Sequence, residues 1–342
     1  MDGTRQEQNA APGGTADGSA PDGVAADGAR PEPGAAAGGA APAGRRVTVV
    51  GEVLVDLLWR AGAREVLPVP GGSPANVAVG LRRLGCPATL VTAWGDDPPG
   101  ELVAAHLSGT GLDVRRAPTT SGRTTVALAH VDRTGSATYD FIAAWDPREL
   151  PVPPDTAVLH TGSLATVVEP GADRVLEVCR WLHGSPGRTV AADLNVRPGV
   201  QPDRTAYREA CLRLATVTDV LKASDEDLAW LYPAVPAEEA ARTLLAAGPR
   251  IVVVTRGARG ALAVTAGTRA EVPAPPVDVV DTVGAGDAFQ AALLDAVASG
   301  APLTTAGEIT AVLNRCTAAA ALACARPGAD PPTRAALDAV TG

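Results

Sequence analysis

Residues 281–289 (DTVGAGDAF) are the stretch of this sequence whose types and spacing best suit chemistry. Two glycines flank Ala285, an aspartate follows at once, and an apolar helical pattern begins at Ala288. A Gly-Ala-Gly turn at a helix start leaves backbone N–H groups unobstructed, and the positive end of the helix dipole attracts a phosphate there. Asp287 is then placed to take a proton from a hydroxyl that attacks the phosphate. The pattern predicts the active site of a kinase.

A second glycine pair opens the first long predicted helix, at residues 71–76 (GGSPAN). Ser73 suits the N-cap of that helix and Pro74 its first position, so an ordinary helix start is the simpler explanation of the segment. Asn76 adds an amide beside bare glycine backbone, which suits binding of sugar hydroxyls. Asp56 ends an apolar strand, where its carboxylate can accept two hydroxyl hydrogen bonds, although a turn or helix-cap role is equally open.

Two further segments have both a structural and a functional interpretation. Residues 254–260 (VTRGARG) follow an apolar strand, and their glycines suit either a phosphate loop or an ordinary hairpin turn. Residues 224–227 (SDED) form a helix cap followed by acids in the first turn, which capping explains fully. Asp227 could in addition hold a hydrated Mg²⁺.

Composition excludes several classes of protein. The net charge is −9 and no dense run of basic residues exists, which argues against nucleic acid as a partner, and no apolar stretch is long enough to predict a membrane span. Lys222 is the sole lysine and no glycines precede it, so a Walker-type P-loop is excluded. The four histidines lack metal-ligand spacing and no G-x-S-x-G motif occurs. Five cysteines without a C-x-x-C pair predict free thiols and a cytoplasmic protein.

The chain divides into a tail and one large domain. Residues 1–44 are rich in Ala, Gly and Pro and are predicted to be a disordered tail, and residues 45–342 a single α/β domain. Short apolar strands are predicted at residues 47–56, 88–94, 157–161, 189–194, 220–223 and 251–255. Helices are predicted at 74–84, 100–107, 172–182, 205–215, 237–246, 288–298 and 306–325. This alternation predicts a doubly wound, mainly parallel sheet with helices on both faces.

A small β-sheet lid is predicted beside the main sheet. Residues 123–131 and 136–143 are strand-like and are joined by a hairpin signal, Asp132 to Gly135. With residues 57–69 they would project from the main sheet, and the lid as a whole would comprise residues of about 57–70 and 112–145.

The sequence resembles the ribokinase/PfkB family of carbohydrate kinases. Residues 71–85 (GGSPANVAVGLRRLG) and 281–294 (DTVGAGDAFQAALL) look like the two signatures of that family, in its order. Residues 160–163 (HTGS), 193–197 (DLNVR), 221–228 (LKASDEDL) and 324–333 (CARPGADPPT) are similar to segments of bacterial fructokinases. The resemblance implies a ribokinase-like fold and ATP-dependent phosphorylation of a sugar hydroxymethyl group, with Mg²⁺ and a monovalent cation, K⁺, as cofactors.

The resemblance also implies roles for residues of this chain. Asp287 matches the general base, and Gly284, Ala285 and Gly286 match the anion hole. The matching sugar contacts are Asp56, Gly72, Asn76 and Asp287. The matching nucleotide contacts are Lys222, Ser224, Thr255, Gly257, Gly260, Arg197 and Thr317. Asp281, Val283 and Gly328 match a monovalent cation site, and Asp227 a water-mediated Mg²⁺ contact. In place of the family's N-x-x-E motif this chain has Ser224 and the shorter Asp227.

Three functional hypotheses follow. The first is a fructokinase-like enzyme that acts on sugar and ATP, either alone or as a homodimer through the lid. The second keeps the chemistry but changes the acceptor to 2-keto-3-deoxygluconate, ribose or a nucleoside. The third is a sugar-sensing protein without turnover. Retention of Asp287 and of the intact Gly-Ala-Gly turn argues against the third.

Overall fold

The computed structural model describes residues 45–133 and 137–342. The strands of this part of the chain are β1 (Arg46–Val50), β2 (Leu54–Arg60), β3 (Leu67–Gly71), β4 (Ala88–Thr92), β5 (Asp113–Arg116), β6 (Thr125–Val131), β7 (Ala137–Ile142), β8 (Thr156–Gly162), β9 (Thr189–Asp193), β10 (Val220–Ser224), β11 (Ile251–Thr255), β12 (Ala261–Val264) and β13 (Arg269–Val272). The helices are α1 (Ser73–Arg83), α2 (Pro98–Ser108), α3 (Gly171–Leu182), α4 (Arg204–Ala215), α5 (Asp225–Leu231), α6 (Ala237–Ala247), α7 (Ala285–Ala298), α8 (Ala306–Cys324) and α9 (Arg334–Thr341).

The larger sheet has the strand order β13-β12-β11-β10-β9-β8-β1-β4-β5. All neighbours pair in parallel except β11 with β12 and β12 with β13, which are antiparallel. The chain leaves β1 toward β4 and β5 and later returns to β8 on the other side of β1. In such sheets a crevice opens where the winding reverses, beyond the carboxyl ends of the strands. The predicted doubly wound α/β fold is confirmed.

Helices cover both faces because successive side chains of each strand point in opposite directions. Val47 and Val49 of β1 lie in one core with residues of α1, α2, α7, α8 and α9. Val50, with the opposite orientation, lies in a second core with residues of α3, α4, α5 and α6. Strands buried on both faces are nearly continuous apolar runs, and for this reason β8 to β11 could be predicted from sequence.

A smaller sheet of four strands, in the order β3-β2-β6-β7, forms the predicted lid. The prediction of one strand over residues 47–56 is wrong, since β1 ends at Val50 and the chain then enters the lid as β2. Gly51 marks the change of direction: a Cβ there would lie 2.4 Å from Pro74 Cγ, so the chain passes tightly beneath the start of α1. Asp113–Arg116, assigned to the lid from sequence, pairs with β4 in the larger sheet.

The predicted helices are present with small shifts at their ends. Ser73 was expected to cap α1, but it is the first helical residue, and Gly72, with φ of 114°, occupies the cap without a side-chain hydrogen bond. Helix α7 begins at Ala285, three residues before the predicted start, so that Asp287 lies in its first turn. β5, β13 and α9 are short and were not predicted. The predicted tail, residues 1–44, and the hairpin residues 134–136 lie outside the described residues. None of the described helices is long and apolar enough to cross a membrane.

Candidate active site

A cleft of about 670 Å³ lies where the parallel strands end. Its floor includes Glu52 just after β1, Ser163 just after β8, and the terminal residues of β9, β10 and β11 (Asp193, Ser224 and Thr255). The lid contributes side chains from β2 and β7, and the turn before α7 forms another wall. The cleft therefore occupies the crevice that the winding of the sheet predicts.

Asp287 lies in this cleft and is held by two hydrogen bonds from the first turn of α1. The Ser73 hydroxyl donates to Oδ1 at 2.6 Å, and the Asn76 amide donates to Oδ2 at 2.8 Å. Burial of the carboxyl raises the pKa of Asp287, while the Ser73 and Asn76 donors lower it; Asp193 nearby raises it and Lys222 lowers it. Each carboxylate oxygen accepts one donor and keeps capacity for a second, so Asp287 can still accept a proton from a ligand hydroxyl.

The two helices that carry this arrangement approach very closely. Gly80 lies on α1, two turns after Ser73, and a Cβ at Gly80 would be 2.7 Å from the Cβ of Ala291 on α7. Ordinary side chains at both positions would hold the helices farther apart. The absence of a side chain at Gly80 therefore allows Ser73 and Asn76 to reach Asp287.

The Gly-Ala-Gly turn has the backbone that the sequence predicts. Gly284 caps α7 with φ of 76°, in the left-handed region, and a Cβ there would lie 2.8 Å from the Cα and Cβ of Ala329. Gly286 faces open space, with Lys222 Nζ 3.9 Å from where its Cβ would be. A helix N-terminus that begins Gly-Ala-Gly, beside an ammonium group, leaves its backbone N–H groups accessible to an anion.

Lys222 forms a buried ion pair at the same end of the cleft. Its Nζ lies 2.6 Å from Asp193 Oδ2, and both side chains are 5% exposed. The other oxygen, Asp193 Oδ1, is buried without a hydrogen-bond partner among the described residues. The sequence assigned no separate role to Asp193. The available signal was its place at the end of an apolar strand, within the segment DLNVR that resembles fructokinases.

The opposite end of the cleft is lined by the lid. Asp56 stands in one row of the lid with Ala127 and Phe141, its neighbours across β6 and β7. Burial raises the pKa of Asp56 to about 6, and the nearby Arg197 guanidinium opposes that rise. Tyr139 and Phe141 add stacked aromatic rings to the same wall, with centroids 6.1 Å apart. The predicted contacts Asp56, Gly72 and Asn76 thus line one cavity.

Glu52 is a buried carboxyl that the sequence did not single out. It is 1% exposed, Oε2 accepts a hydrogen bond from the Ala165 N–H at 3.1 Å, and Oε1 has no partner among the described residues. Burial raises its pKa to about 7, although its own backbone N–H, the Ala165 N–H and the Arg197 guanidinium act in the other direction. Arg197 itself lines the cleft, and its backbone N–H donates to the Tyr207 hydroxyl.

Ser224 and Asp227 form the helix cap predicted for α5. The Asp227 N–H donates to the Ser224 hydroxyl at 2.9 Å, and Asp227 Oδ2 accepts from the Ser224 N–H at 2.7 Å. Asp227 Oδ1 accepts from the Val196 N–H at 2.8 Å, which ties α5 to the loop after β9. Because both oxygens already hold backbone donors, Asp227 can contact a hydrated metal only through its remaining lone pairs.

The other predicted nucleotide contacts differ in position. Thr255 lines the cleft, and Gly257, with φ of 54°, faces open space in the turn that follows it. Gly260 packs against the backbone: a Cβ there would be 2.1 Å from the Val272 carbonyl oxygen, so its glycine is needed for the hairpin. Thr317 is buried within α8, where its hydroxyl donates to the Asn314 carbonyl at 3.0 Å, and it does not line the cleft.

Asp281 joins the turn before α7 to the loop after α8. Oδ1 accepts from the Val283 N–H at 3.0 Å and Oδ2 from the Gly328 N–H at 2.8 Å. The sequence-predicted cation residues are therefore neighbours. The described residues contain no group of three or more His, Cys, Asp or Glu side chains that could hold a metal ion. A cation here would rely on one carboxylate and backbone carbonyls.

Comparison with known proteins shows that this chain is similar to carbohydrate kinases. Residues 45–336 match the model of the pfkB family of carbohydrate kinases. The fructokinase of Rhizobium leguminosarum bv. trifolii is 32% identical over 256 residues, which cover 71% of this chain and 77% of that protein.

Solved structures agree with the sequence match. A double mutant of fructokinase from Vibrio cholerae O395, bound to fructose, ADP and potassium ion, has a TM-score of 0.73 at 27% identity, covering 87% of this chain and 98% of that one. Aminoimidazole riboside kinase from Salmonella enterica, complexed with aminoimidazole riboside and an ATP analog, has a TM-score of 0.71 at 27% identity, covering 87% and 100%.

Proposed function

The chain belongs to the pfkB family of carbohydrate kinases, and we propose that it transfers the γ-phosphoryl group of ATP to a hydroxymethyl group of a sugar, fructose. One observation carries this proposal. Asp287 is a half-buried carboxylate held by two hydrogen bonds, in the first turn of a helix whose glycine start faces the same cleft.

In the proposed mechanism Asp287 is the general base. Its carboxylate takes the proton of the sugar hydroxymethyl group as that oxygen bonds to the γ-phosphorus, and ADP leaves with the electrons of the broken P–O bond. The backbone N–H groups at Gly284–Gly286 and the positive end of α7 stabilise the negative charge that moves between donor and acceptor. The Lys222 ammonium, next to Gly286, would donate a hydrogen bond to a phosphate oxygen while it remains paired with Asp193.

Asp56, Gly72 and Asn76 are the proposed sugar contacts. They share the cleft with Asp287, and a carboxylate and an amide can together accept from and donate to neighbouring hydroxyls. Closure of the lid would exclude water, which could otherwise take the phosphoryl group. Thr255 and Gly257, at the other end, are the proposed nucleotide contacts.

Two metal ions fit this site to different degrees. Asp281, whose carboxylate accepts the Val283 and Gly328 N–H groups, would have to be joined by the Val283 carbonyl and carbonyls of the loop at Gly328, and such an oxygen set suits K⁺. Such an ion would add positive potential behind the anion hole. Mg²⁺ would neutralise phosphate charge, and Asp227 could hold it only through water because its oxygens already accept two backbone N–H groups.

A nucleoside acceptor is the second candidate. Tyr139 and Phe141 give the lid wall a flat aromatic surface, and the Salmonella enterica kinase of similar structure is complexed with a riboside. A coupled assay of ADP formation with fructose, ribose, 2-keto-3-deoxygluconate and nucleosides would separate the candidates. A kcat/KM for any nucleoside well above that for fructose would reject the fructose assignment.

The base assignment has its own test. Asp287→Asn keeps the shape and can still accept from Ser73, but it cannot take a proton, so kcat should fall by roughly 100-fold or more while ATP affinity changes little. Asp140→Asn, on an 82% exposed side chain of the lid, is a matched control that should leave kcat unchanged. Turnover close to wild type in Asp287→Asn would refute the mechanism and would reopen a sugar-sensing role.

Location and assembly are also proposals. All five cysteines are free, which is consistent with a cytoplasmic enzyme. Trp59 and Ile142 of the lid are 42% and 66% exposed, and a homodimer through the lid would cover them. Sedimentation of wild type and Ile142→Asp would test this assembly.

A further inference from the structure

Ser73 has a hydroxyl that α1 does not use. Gly72 occupies the N-cap, and no side-chain hydrogen bond caps the helix. The single hydroxyl proton is instead donated to Asp287 Oδ1 at 2.6 Å, across 214 positions of sequence. Replacing Ser73 by alanine would therefore remove a contact to Asp287 without removing a cap from α1.

The position of this hydroxyl is fixed by packing on both sides. Pro74, the next residue, packs closely on Gly51, because a Cβ added at Gly51 would lie 2.4 Å from the Pro74 ring. Farther along α1, Gly80 allows the close approach to Ala291 of α7. The start of α1 is thus held against β1 and against the helix that carries Asp287, and the donor and acceptor cannot easily separate.

We propose that Ser73 is a positioning residue for the reaction, whose hydroxyl proton holds the Asp287 carboxylate in its ionised form. The proposal rests on the proposed role of Asp287 as general base. Asn76 bonds the other oxygen but is also a proposed sugar contact, so its amide must divide its hydrogen bonds between Asp287 and the substrate. Ser73 has only one proton to donate, and it remains on the carboxylate.

The surroundings of Asp287 make this donor important. Burial disfavours the ionised carboxylate, and the negative charge of Asp193 on β9 acts in the same direction. Lys222 on β10, Asn76 and Ser73 on α1 favour the ionised form. Asp56 on β2, with Glu52 and Arg197, lines other parts of the same cleft. Loss of the Ser73 donor moves this balance toward the protonated carboxyl, which cannot accept the substrate proton.

The test is the pH dependence of kcat at saturating sugar and ATP, measured for wild type, Ser73→Ala, Ser73→Cys and Ser73→Thr. Removal of a donor to a carboxylate raises its pKa, so the acid limb of Ser73→Ala should move up by about one pH unit. At one pH unit below the midpoint of the wild-type acid limb, kcat of Ser73→Ala should then be about tenfold lower than kcat of the wild type. On the alkaline plateau the two values should be close. Ser73→Thr keeps the hydroxyl and should keep the wild-type limb. The thiol of Ser73→Cys is a weaker donor and should give an intermediate limb.

The outcomes separate this inference from the proposed function. An unmoved acid limb in Ser73→Ala, with kcat lowered equally at every pH, would overturn the positioning role and leave the kinase mechanism intact. If the melting curve shows that Ser73→Ala does not fold, Ser73→Cys replaces it in the test. An acid limb of Ser73→Cys at the wild-type pH would then overturn the positioning role. Absence of phosphoryl transfer by the wild type, or full activity of Asp287→Asn, would instead reject the function on which the inference depends.

Discussion

Replacement of Gly80 by alanine should move α1 away from α7 and impair catalysis more than folding. The added Cβ would lie 2.7 Å from Ala291 Cβ, whereas carbon atoms in contact are roughly 3.5–4.0 Å apart. The helices must therefore separate by about 1 Å. The hydrogen bonds from Ser73 and Asn76 to Asp287, at 2.6 and 2.8 Å, would then lengthen to about 3.6–3.8 Å, beyond the range of a hydrogen bond.

The expected magnitudes differ for activity and stability. A displacement of about 1 Å between a catalytic group and its substrate can lower kcat by about 100-fold. Overpacking destabilises by about 1–3 kcal/mol, but alanine has a better helix propensity than glycine by about 1 kcal/mol, so the net loss should be about 0–2 kcal/mol. Gly80→Ala should therefore yield a folded protein with impaired turnover.

A size exchange provides the decisive assay. The double variant Gly80→Ala with Ala291→Gly keeps the total side-chain volume at the contact between α1 and α7. Its kcat should therefore return much of the way to the wild-type value. Gly307→Ala is the matched control, because Gly307 lies in the first turn of α8 with nothing within 4 Å of the added Cβ. It should leave kcat unchanged. Wild-type kcat in Gly80→Ala, or no recovery in the double variant, would refute the argument that this contact sets the geometry of the site.

Three further predictions concern charge, cation and tail. Burial raises the pKa of Glu52 from 4.5 to about 7, so the folded state loses stability as pH rises through this window. Urea unfolding should find Glu52→Gln more stable than wild type by about 3 kcal/mol at pH 8 and equally stable below pH 4. A difference that does not change with pH would refute this. At matched ionic strength K⁺ should raise kcat more than it changes sugar KM, and Asp281→Ala should abolish the response; a wild type indifferent to K⁺ would leave Asp281 as a loop residue. Deletion of residues 1–44 should leave kcat/KM and Tm unchanged, because their composition lacks the apolar side chains needed for docking; a large drop in either would show that the tail docks.

The sequence predicted the parts of the molecule that depend on local patterns. The apolar strands β8 to β11 are buried on both faces and stand out as continuous runs, and the turn at Gly284 needs a residue that tolerates positive φ. The break after β1 was missed because residues 47–56 are apolar on both sides of it. What turns the chain there is the contact of Gly51 with Pro74, which no local pattern records.

The candidate site could be predicted only in part for the same reason. Asp287 could be recognised in the sequence because it directly follows the Gly-Ala-Gly turn that suits a phosphate. The hydroxyl that reaches it belongs to Ser73, 214 residues earlier, and its sequence context favoured a helix cap. The pairing of Asp193 with Lys222 likewise depends on the neighbouring positions of β9 and β10 in the sheet. Charge pairing across strands is set by the strand order, which the linear pattern does not specify.

The isolation of Lys222 makes it a chemical reporter of the cleft. It is the only lysine of the sequence and is 4% exposed. Reagents that acylate amines can reach its side chain only when the surrounding strands and helices open, and so the rate of modification measures that opening. An acyl group located by mass on the peptide that contains Lys222, as distinct from one on the terminal amine, would then follow the opening and closing of this corner in the untagged protein, without any engineered probe.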